Sequence, residues 1–261
     1  MTSLFTAGNS AKLYCLNLIE KIIDRQGESL ILLDLGCGEA ANFIKLLKKY
    51  PRLRYVGVEP SSEACEIARK NISAYNAAII NAPAYQLDLE PADIIISFSV
   101  LEHVYRRDAY MQTVRKHLKR EGVLMINYDS GHFIDPPPAP IWKVGSERWK
   151  NRFGRWMARI GVERYFQAFV REDEFHVLLD ETGLRVLDDK FFNTDLKNVY
   201  KLVPSQNIDD YMRRWLEFEL VLNRMPIHYE DSMAKWFRTR NFVVSRLDAD
   251  PAVFTWLLDN E

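Results

Sequence analysis

Leu30-Ile31-Leu32-Leu33-Asp34-Leu35-Gly36-Cys37-Gly38-Glu39-Ala40 is the stretch on which the reading of this chain turns. A continuous apolar run closed by glycines reads as a buried strand that delivers the chain into a tight turn. Beyond the turn, Phe43, Leu46 and Leu47 recur at helical spacing through Ala41 to Tyr50, so the unit is strand, turn, helix. The small residues of the turn let backbone approach a ligand near the positive end of a helix.

Working outward, Leu13, Leu16, Ile19, Ile22 and Ile23 place a helix over Ala11 to Arg25, with Asn9 or Ser10 as its cap. Downstream the alternation repeats. Strands are predicted at Tyr55 to Val58, Ala77 to Ile80, Ala92 to Phe98 and Gly122 to Tyr128, with helices at Ser61 to Ile72 and Arg107 to Lys119. Such alternation implies a parallel sheet with helices on both faces. After Tyr128 the rhythm breaks at Asp129 to Pro140 (DSGHFIDPPPAP), whose three consecutive prolines exclude a helix or central strand. Ile141 to Val170 mixes Trp142, Trp149 and Trp156 with basic residues and reads as amphipathic helix. A helix at Glu172 to Thr182 stopped by Gly183, a strand at Leu184 to Phe192, helices at Ile208 to Leu222 and Asp231 to Arg238, and a strand at Asn241 to Leu247 complete the chain. The expected class is thus α/β: a doubly wound, seven-stranded, mostly parallel sheet with a helical insertion over its carboxyl edge. Residues 1–129 would form a cofactor-binding core, 130–170 the insertion or lid for a second substrate, and 171–261 the completion of the sheet.

A formal charge of −1 over 261 residues gives no global field to attract nucleic acid. The three cysteines, Cys15, Cys37 and Cys65, lack metal-site or disulfide-framework spacing, so no metal is expected and a reducing, cytoplasmic setting fits. No run approaches the length of a membrane span.

The turn Asp34-Leu35-Gly36-Cys37-Gly38-Glu39-Ala40 resembles the signature of the class I (Rossmann-like) S-adenosylmethionine-dependent methyltransferases of the small-molecule type: an acid followed by x-G-x-G-x-G, with Ala40 in the third glycine position. Gly36 to Ala41 also satisfies the dinucleotide fingerprint G-x-G-x-x-A, which keeps a nicotinamide-dependent oxidoreductase open. Asp34 favours the first family, where the resemblance implies a carboxylate facing the ammonium of the donor's methionine moiety. It further implies Glu59 and Pro60 at the ribose, Asn81 and Ala82 beside the adenine, the loop residues Gly36, Cys37 and Gly38 around the methionine, and the Ser97 and Phe98 backbone at its end. Val100-Leu101-Glu102-His103-Val104 is similar to the loop after the fourth strand in small-molecule and lipid-related members, and makes His103 a candidate base. Asn127-Tyr128-Asp129-Ser130-Gly131-His132 offers polar groups at the same edge, with Asp129 and His132 as alternative bases. His117, between lysines on a helix, reads as a surface residue.

Methyl transfer from a sulfonium needs alignment and desolvation more than a fixed catalytic group. No Asn/Asp-Pro-Pro-Tyr/Phe sequence follows the fourth strand and no Pro-Cys nucleophile is present, which disfavours amide or base nitrogen and cytosine C5 chemistry. The expectation is transfer to an oxygen of a small-molecule acceptor, against the alternatives of an oxidoreductase or a non-catalytic S-adenosylmethionine-binding protein.

Overall fold

The computed structural model describes residues 10–129, 152–193, 202–225, 237 and 239–258. The proline run, Trp142, Trp149, His132 and all but Phe237 of the helix expected at Asp231 to Arg238 lie outside the described residues. The helices are α1 (Ser10–Gln26), α2 (Ile44–Lys49), α3 (Ser62–Ile72), α4 (Arg107–His117), α5 (152–159), α6 (Glu172–Glu181), α7 (Ile208–Arg224) and α8 (Thr255–Leu258). The strands are β1 (Ile31–Leu35), β2 (Arg54–Glu59), β3 (Ala77–Asn81), β4 (Ala92–Phe98), β5 (Leu118–Asp129), β6 (Leu184–Phe192) and β7 (Thr239–Arg246). They form one seven-stranded sheet in the order β3-β2-β1-β4-β5-β7-β6, with β7 antiparallel to both neighbours and the first five strands parallel. The expected α/β sheet is the one observed.

Period-two alternation along each strand divides the core into two layers. Leu32, Ile94, Ile96, Met125 and Val243 face α1, α2 and α8. Leu33, Ile95, Leu124, Ile126 and Val244 face α4 and α6. The strand order reverses between β1 and β4, so their carboxyl ends, Asp34-Leu35 and Ser97-Phe98, border the crevice where a doubly wound sheet binds its ligand.

Local chemistry sets most boundaries. Ser61 caps α3 by accepting the Ala64 N–H at 3.3 Å. Gly183 ends the α6 turn at φ +66°, a left-handed position that favours glycine. Several boundaries differ from expectation, among them the start of β5, at Leu118 rather than Gly122, and the start of β7, at Thr239 rather than Asn241. Ser10 is the first residue of α1 rather than its cap. The fourth helix stops at His117, because Leu118 is already extended and pairs with Ala92 of β4.

The reading of His117 as a surface residue is overturned. Its imidazole is 1% exposed, with Nδ1 2.8 Å from the Thr113 carbonyl and Nε2 accepting the Leu89 N–H at 3.2 Å. The side chain thereby ties α4 to the segment leading into β4. Replacing His117 by Ala leaves the Leu89 N–H without a partner and is expected to lower the unfolding free energy by about 2 kcal/mol, read as a reduced urea midpoint. An unchanged midpoint would contradict this bonding role.

Candidate active site

Asp34 stands on the α1 side of β1, 3% exposed, and its Oδ2 accepts the Tyr55 hydroxyl at 2.7 Å. Burial pushes its carboxyl up to about 7, against the Tyr55 hydrogen bond and the nearby Lys12 ammonium; Glu59 adds repulsion. Lys12, on α1, is itself pushed below its usual range by burial, an effect the Asp34 charge opposes. Its Nζ lies 5.9 Å above the Phe98 ring. Lys12, Asp34, Gly36, Gly38, Asn42 and Phe98 line a cleft of about 240 Å³ at the crevice. A larger groove of about 620 Å³ runs between α1 and α2, lined by aliphatics and lysines with no convergent set of buried polar groups.

The glycine loop works by removing bulk. Gly36 has φ +78°, and a Cβ there would lie 2.4 Å from Val100 Cγ2. Gly38, at φ +53°, has open space where a side chain would be. Ala40 also holds a left-handed backbone, φ +54°, so the third glycine position is filled by a strained alanine.

The amides of this loop do not point freely outward as anticipated. Gly36 N–H and Cys37 N–H both donate to the Val58 carbonyl, at 2.8 and 3.1 Å, and Gly38 N–H donates to Glu59 Oε2 at 3.1 Å. Cys37 turns its thiol inward, where a Cβ on Gly57 would approach Sγ to 2.8 Å, and burial pushes that thiol up. It brings only backbone to the crevice.

Glu59 ends β2 with Oε1 accepting the Ser61 N–H at 2.9 Å and Oε2 accepting the Gly38 N–H. Each carboxylate oxygen keeps a further lone pair, so the group is oriented and still able to accept two hydroxyls. Asn81 donates through Nδ2 to the carbonyls of Glu59 and Pro60, at 2.9 and 3.1 Å, binding the ends of β2 and β3 together. Ala82 follows, half-buried against the α4 layer. Ser97 and Phe98 diverge: the Ser97 hydroxyl accepts that of Tyr110 at 2.7 Å on the opposite face, while the Phe98 ring walls the cleft and stacks on Phe43.

His103 lies exposed in a 3-10 turn after β4, with Nδ1 3.3 Å from the Phe166 carbonyl. Arg107 fixes the same segment, donating to the carbonyls of Leu101, Ala168 and Phe169 and pairing with Glu174 at 2.8 Å. The loop after β4 and residues 166–169 are therefore stapled together. The backbone of Asp129 ends β5 opposite Thr239, but its side chain and all of His132 lie outside the described residues.

Several polar residues of this region escaped the sequence reading. Lys12 had a signal: a cation four residues before Leu16 on an otherwise apolar helical face. Asn241 and Thr239 had none, because only the β5/β7 register sets them against Asn127 and Asp129. Asn127 Nδ2, Asn241 Nδ2 and Thr239 Oγ1 are buried without a hydrogen-bond partner, each costing about 1–3 kcal/mol. Among the described residues there is no cluster of His, Cys, Asp and Glu able to hold a metal, and no helix long and apolar enough to cross a membrane.

Comparison with known proteins fits this geometry. Residues 33–124 match the family described as "Methyltransferase domain". The chain is 29% identical over 121 residues to a trans-aconitate 2-methyltransferase of Azoarcus sp., covering 42% of this chain and 45% of that protein. It is 27% identical over 192 residues to a ubiquinone biosynthesis O-methyltransferase of Sinorhizobium fredii, covering 70% of this chain and 71% of that one. The chain thus spans less than half the length of the first of these relatives. A magnesium protoporphyrin IX methyltransferase of Synechocystis, solved with bound SAH, shares the fold at TM-score 0.53 and 13% identity, over 90% of this chain and 82% of that one. The resemblance drawn from the Asp34 loop holds at the level of the fold: this is a class I methyltransferase fold, whose expected cofactor is S-adenosylmethionine.

The residues suit that group, which carries an ammonium, a carboxylate and a ribose diol. Asp34, Lys12 and Glu59 are one complementary partner for each. Without it, Asp34 is a burden. An ordinary carboxylate ionises near 3.8 whereas Asp34 holds its proton to about 7, so its ionisation costs the native state little near pH 4. The cost grows as pH rises and reaches on the order of 4 kcal/mol above pH 7. Asp34→Asn is therefore expected to melt several degrees higher than the parent at pH 8 and at a similar temperature near pH 4. Equal or lower melting at pH 8 would contradict the assignment.

Proposed function

We propose that this chain transfers the methyl group of S-adenosylmethionine to an oxygen of a small-molecule acceptor. The observation that carries the reading is the buried Asp34 and the half-buried Lys12 facing one cleft, a complement to a zwitterionic amino acid rather than to a phosphate. A nicotinamide dinucleotide would bring a pyrophosphate that needs loop amides to receive it. Here the Gly36, Cys37 and Gly38 amides are already bonded to β2, and Asp34 and Glu59 would repel the added charge. The likeness to a ubiquinone biosynthesis O-methyltransferase supports oxygen as the acceptor atom.

When bound, the cofactor supplies an electrophilic methyl on a sulfonium that leaves as a neutral thioether. Asp34 accepts the ammonium, Lys12 meets the carboxylate, and Glu59 accepts the ribose hydroxyls. Gly36 and Gly38 leave room for the backbone to lie close, with Asn81 and Ala82 at the adenine end. Phe98 forms an apolar wall that excludes water from the methyl carbon. A hydroxyl acceptor must lose its proton during attack. With its Nδ1–H directed at the Phe166 carbonyl, His103 keeps the Nε2 lone pair for that proton, and Asp129 and His132 are the alternative bases. The division expected from the sequence, an acceptor-facing insertion at 130–170 on a core of 1–129 and 171–261, belongs to this proposal. The three free cysteines suit a reducing cytoplasm.

Binding the ammonium requires ionised Asp34. Titration calorimetry with S-adenosylhomocysteine is expected to show affinity about tenfold weaker at pH 6 than at pH 8, with proton release on binding at pH 6. Lys12→Met should weaken binding at both pH values, and Asp34→Asn should weaken it and abolish the pH dependence. Tight binding of NAD with no response to S-adenosylhomocysteine would overturn the reading.

A further inference from the structure

We infer that the methyl acceptor is held through a neutral, carbonyl-type oxygen by the paired side-chain amides of Asn127 and Asn241, a specificity site that rests on the methyltransferase reading above. The two residues stand directly opposite each other in the β5/β7 ladder and project to the same face of the sheet. Asn127 is also the register partner of Phe98, which walls the donor cleft, so the pair begins one strand spacing, about 4.8 Å, from that wall.

Both amides are oriented by their oxygens. Asn127 Oδ1 accepts the Ser99 N–H at 3.1 Å, and Asn241 Oδ1 accepts the Cys15 thiol at 3.2 Å. Their nitrogens are thereby directed elsewhere, and both lack any partner although the residues are 0% and 1% exposed. Thr239, two residues nearer the carboxyl edge on the same face of β7, has an unpartnered hydroxyl as well. Amide nitrogens can only donate, so the missing partner is a hydrogen-bond acceptor and not a cation or a donor.

Neighbouring charge decides between a carboxylate and a neutral oxygen. Lys190, the register partner of Asn241 on β6, is paired with Asp188 at 2.9 Å, and Lys12 is coupled to Asp34. With those cations matched, a carboxylate seated on the amides would be a buried, uncompensated charge. A carbonyl oxygen satisfies the same donors without that charge.

The test uses the full chain, labelled with ¹⁵N and saturated with S-adenosylhomocysteine. The side-chain amide resonances of Asn127 and Asn241 are assigned through the Asn127→Asp and Asn241→Asp variants. Acetophenone, ethylbenzene and benzoate are titrated separately to their solubility limits. Acetophenone is expected to shift both Nδ2 pairs, while ethylbenzene, its counterpart lacking the oxygen, shifts neither. Asn241→Asp keeps an oxygen for the Cys15 thiol but removes the donor, and should weaken acetophenone binding about tenfold, the worth of one buried hydrogen bond. Absence of a shift with acetophenone, an equal shift with ethylbenzene, or a larger one with benzoate would overturn the inference. If a variant fails to fold, the parent titration decides alone, with assignment by through-bond correlation. Calorimetry on the same samples separates the two readings: lost S-adenosylhomocysteine binding sinks the methyltransferase assignment, whereas intact binding without amide shifts sinks only this one.

Discussion

The carboxyl edge of this sheet depends on one carboxylate kept out of water. Asp34 lies near the end of β1 on the α1 side, bonded to Tyr55 and sharing a cleft with Phe98, with one hydroxyl and one ammonium to offset its burial. The offset is incomplete, which is why its proton is retained to about 7. A site of this kind is least satisfied when empty. A ligand ammonium supplies the missing counter-charge, so binding free energy is available from a group the fold itself would be more stable without.

The surrounding backbone is shaped to keep that space open. Gly36 is obligatory, since any Cβ would collide with Val100. Ala40 and Ser99 also occupy the left-handed region, at φ +54° and +55°, at a cost of roughly 1–2 kcal/mol each. At Ser99 the strain has a visible return: its N–H meets both the carbonyl and the Oδ1 of Asn127. At Ala40 the amide donates to the Cys37 carbonyl and closes the loop. Glu59 is clamped from two sides by backbone N–H groups, so its orientation precedes any ligand.

How much of this was legible in sequence follows from the range of the forces involved. Ala92–Phe98 and Leu184–Phe192 were readable to the residue, because an apolar run bounded by proline or glycine specifies a buried strand locally. The positions of Asp34 and Glu59 at the ends of β1 and β2 were readable because loop and strand end are a single local unit. His117 was misread because its two bonds join α4 to a segment 28 residues away, and a helical wheel shows only neighbouring lysines. Ser97 was placed correctly at a strand end, yet its hydroxyl faces the opposite layer, which alternation decides only once the neighbouring side is known. The Asn127 and Asn241 pairing depends on register across an antiparallel ladder, information no local pattern carries.

That ladder also explains how residues late in the chain come to serve an early site. In a wholly parallel sheet, Thr239 and Asn241 would begin their strand at the amino edge, remote from the crevice. Because β7 alone runs backward, its first residues arrive at the carboxyl edge, beside Asn127 and two strands from Phe98. The parallel half, β1 and β2 with α1, thus supplies charged groups suited to a zwitterion and a diol. The antiparallel junction supplies neutral donors. One reversed strand therefore divides the edge into two chemically distinct halves on either side of Phe98, with charged groups on β1, β2 and α1 and neutral donors on β5 and β7.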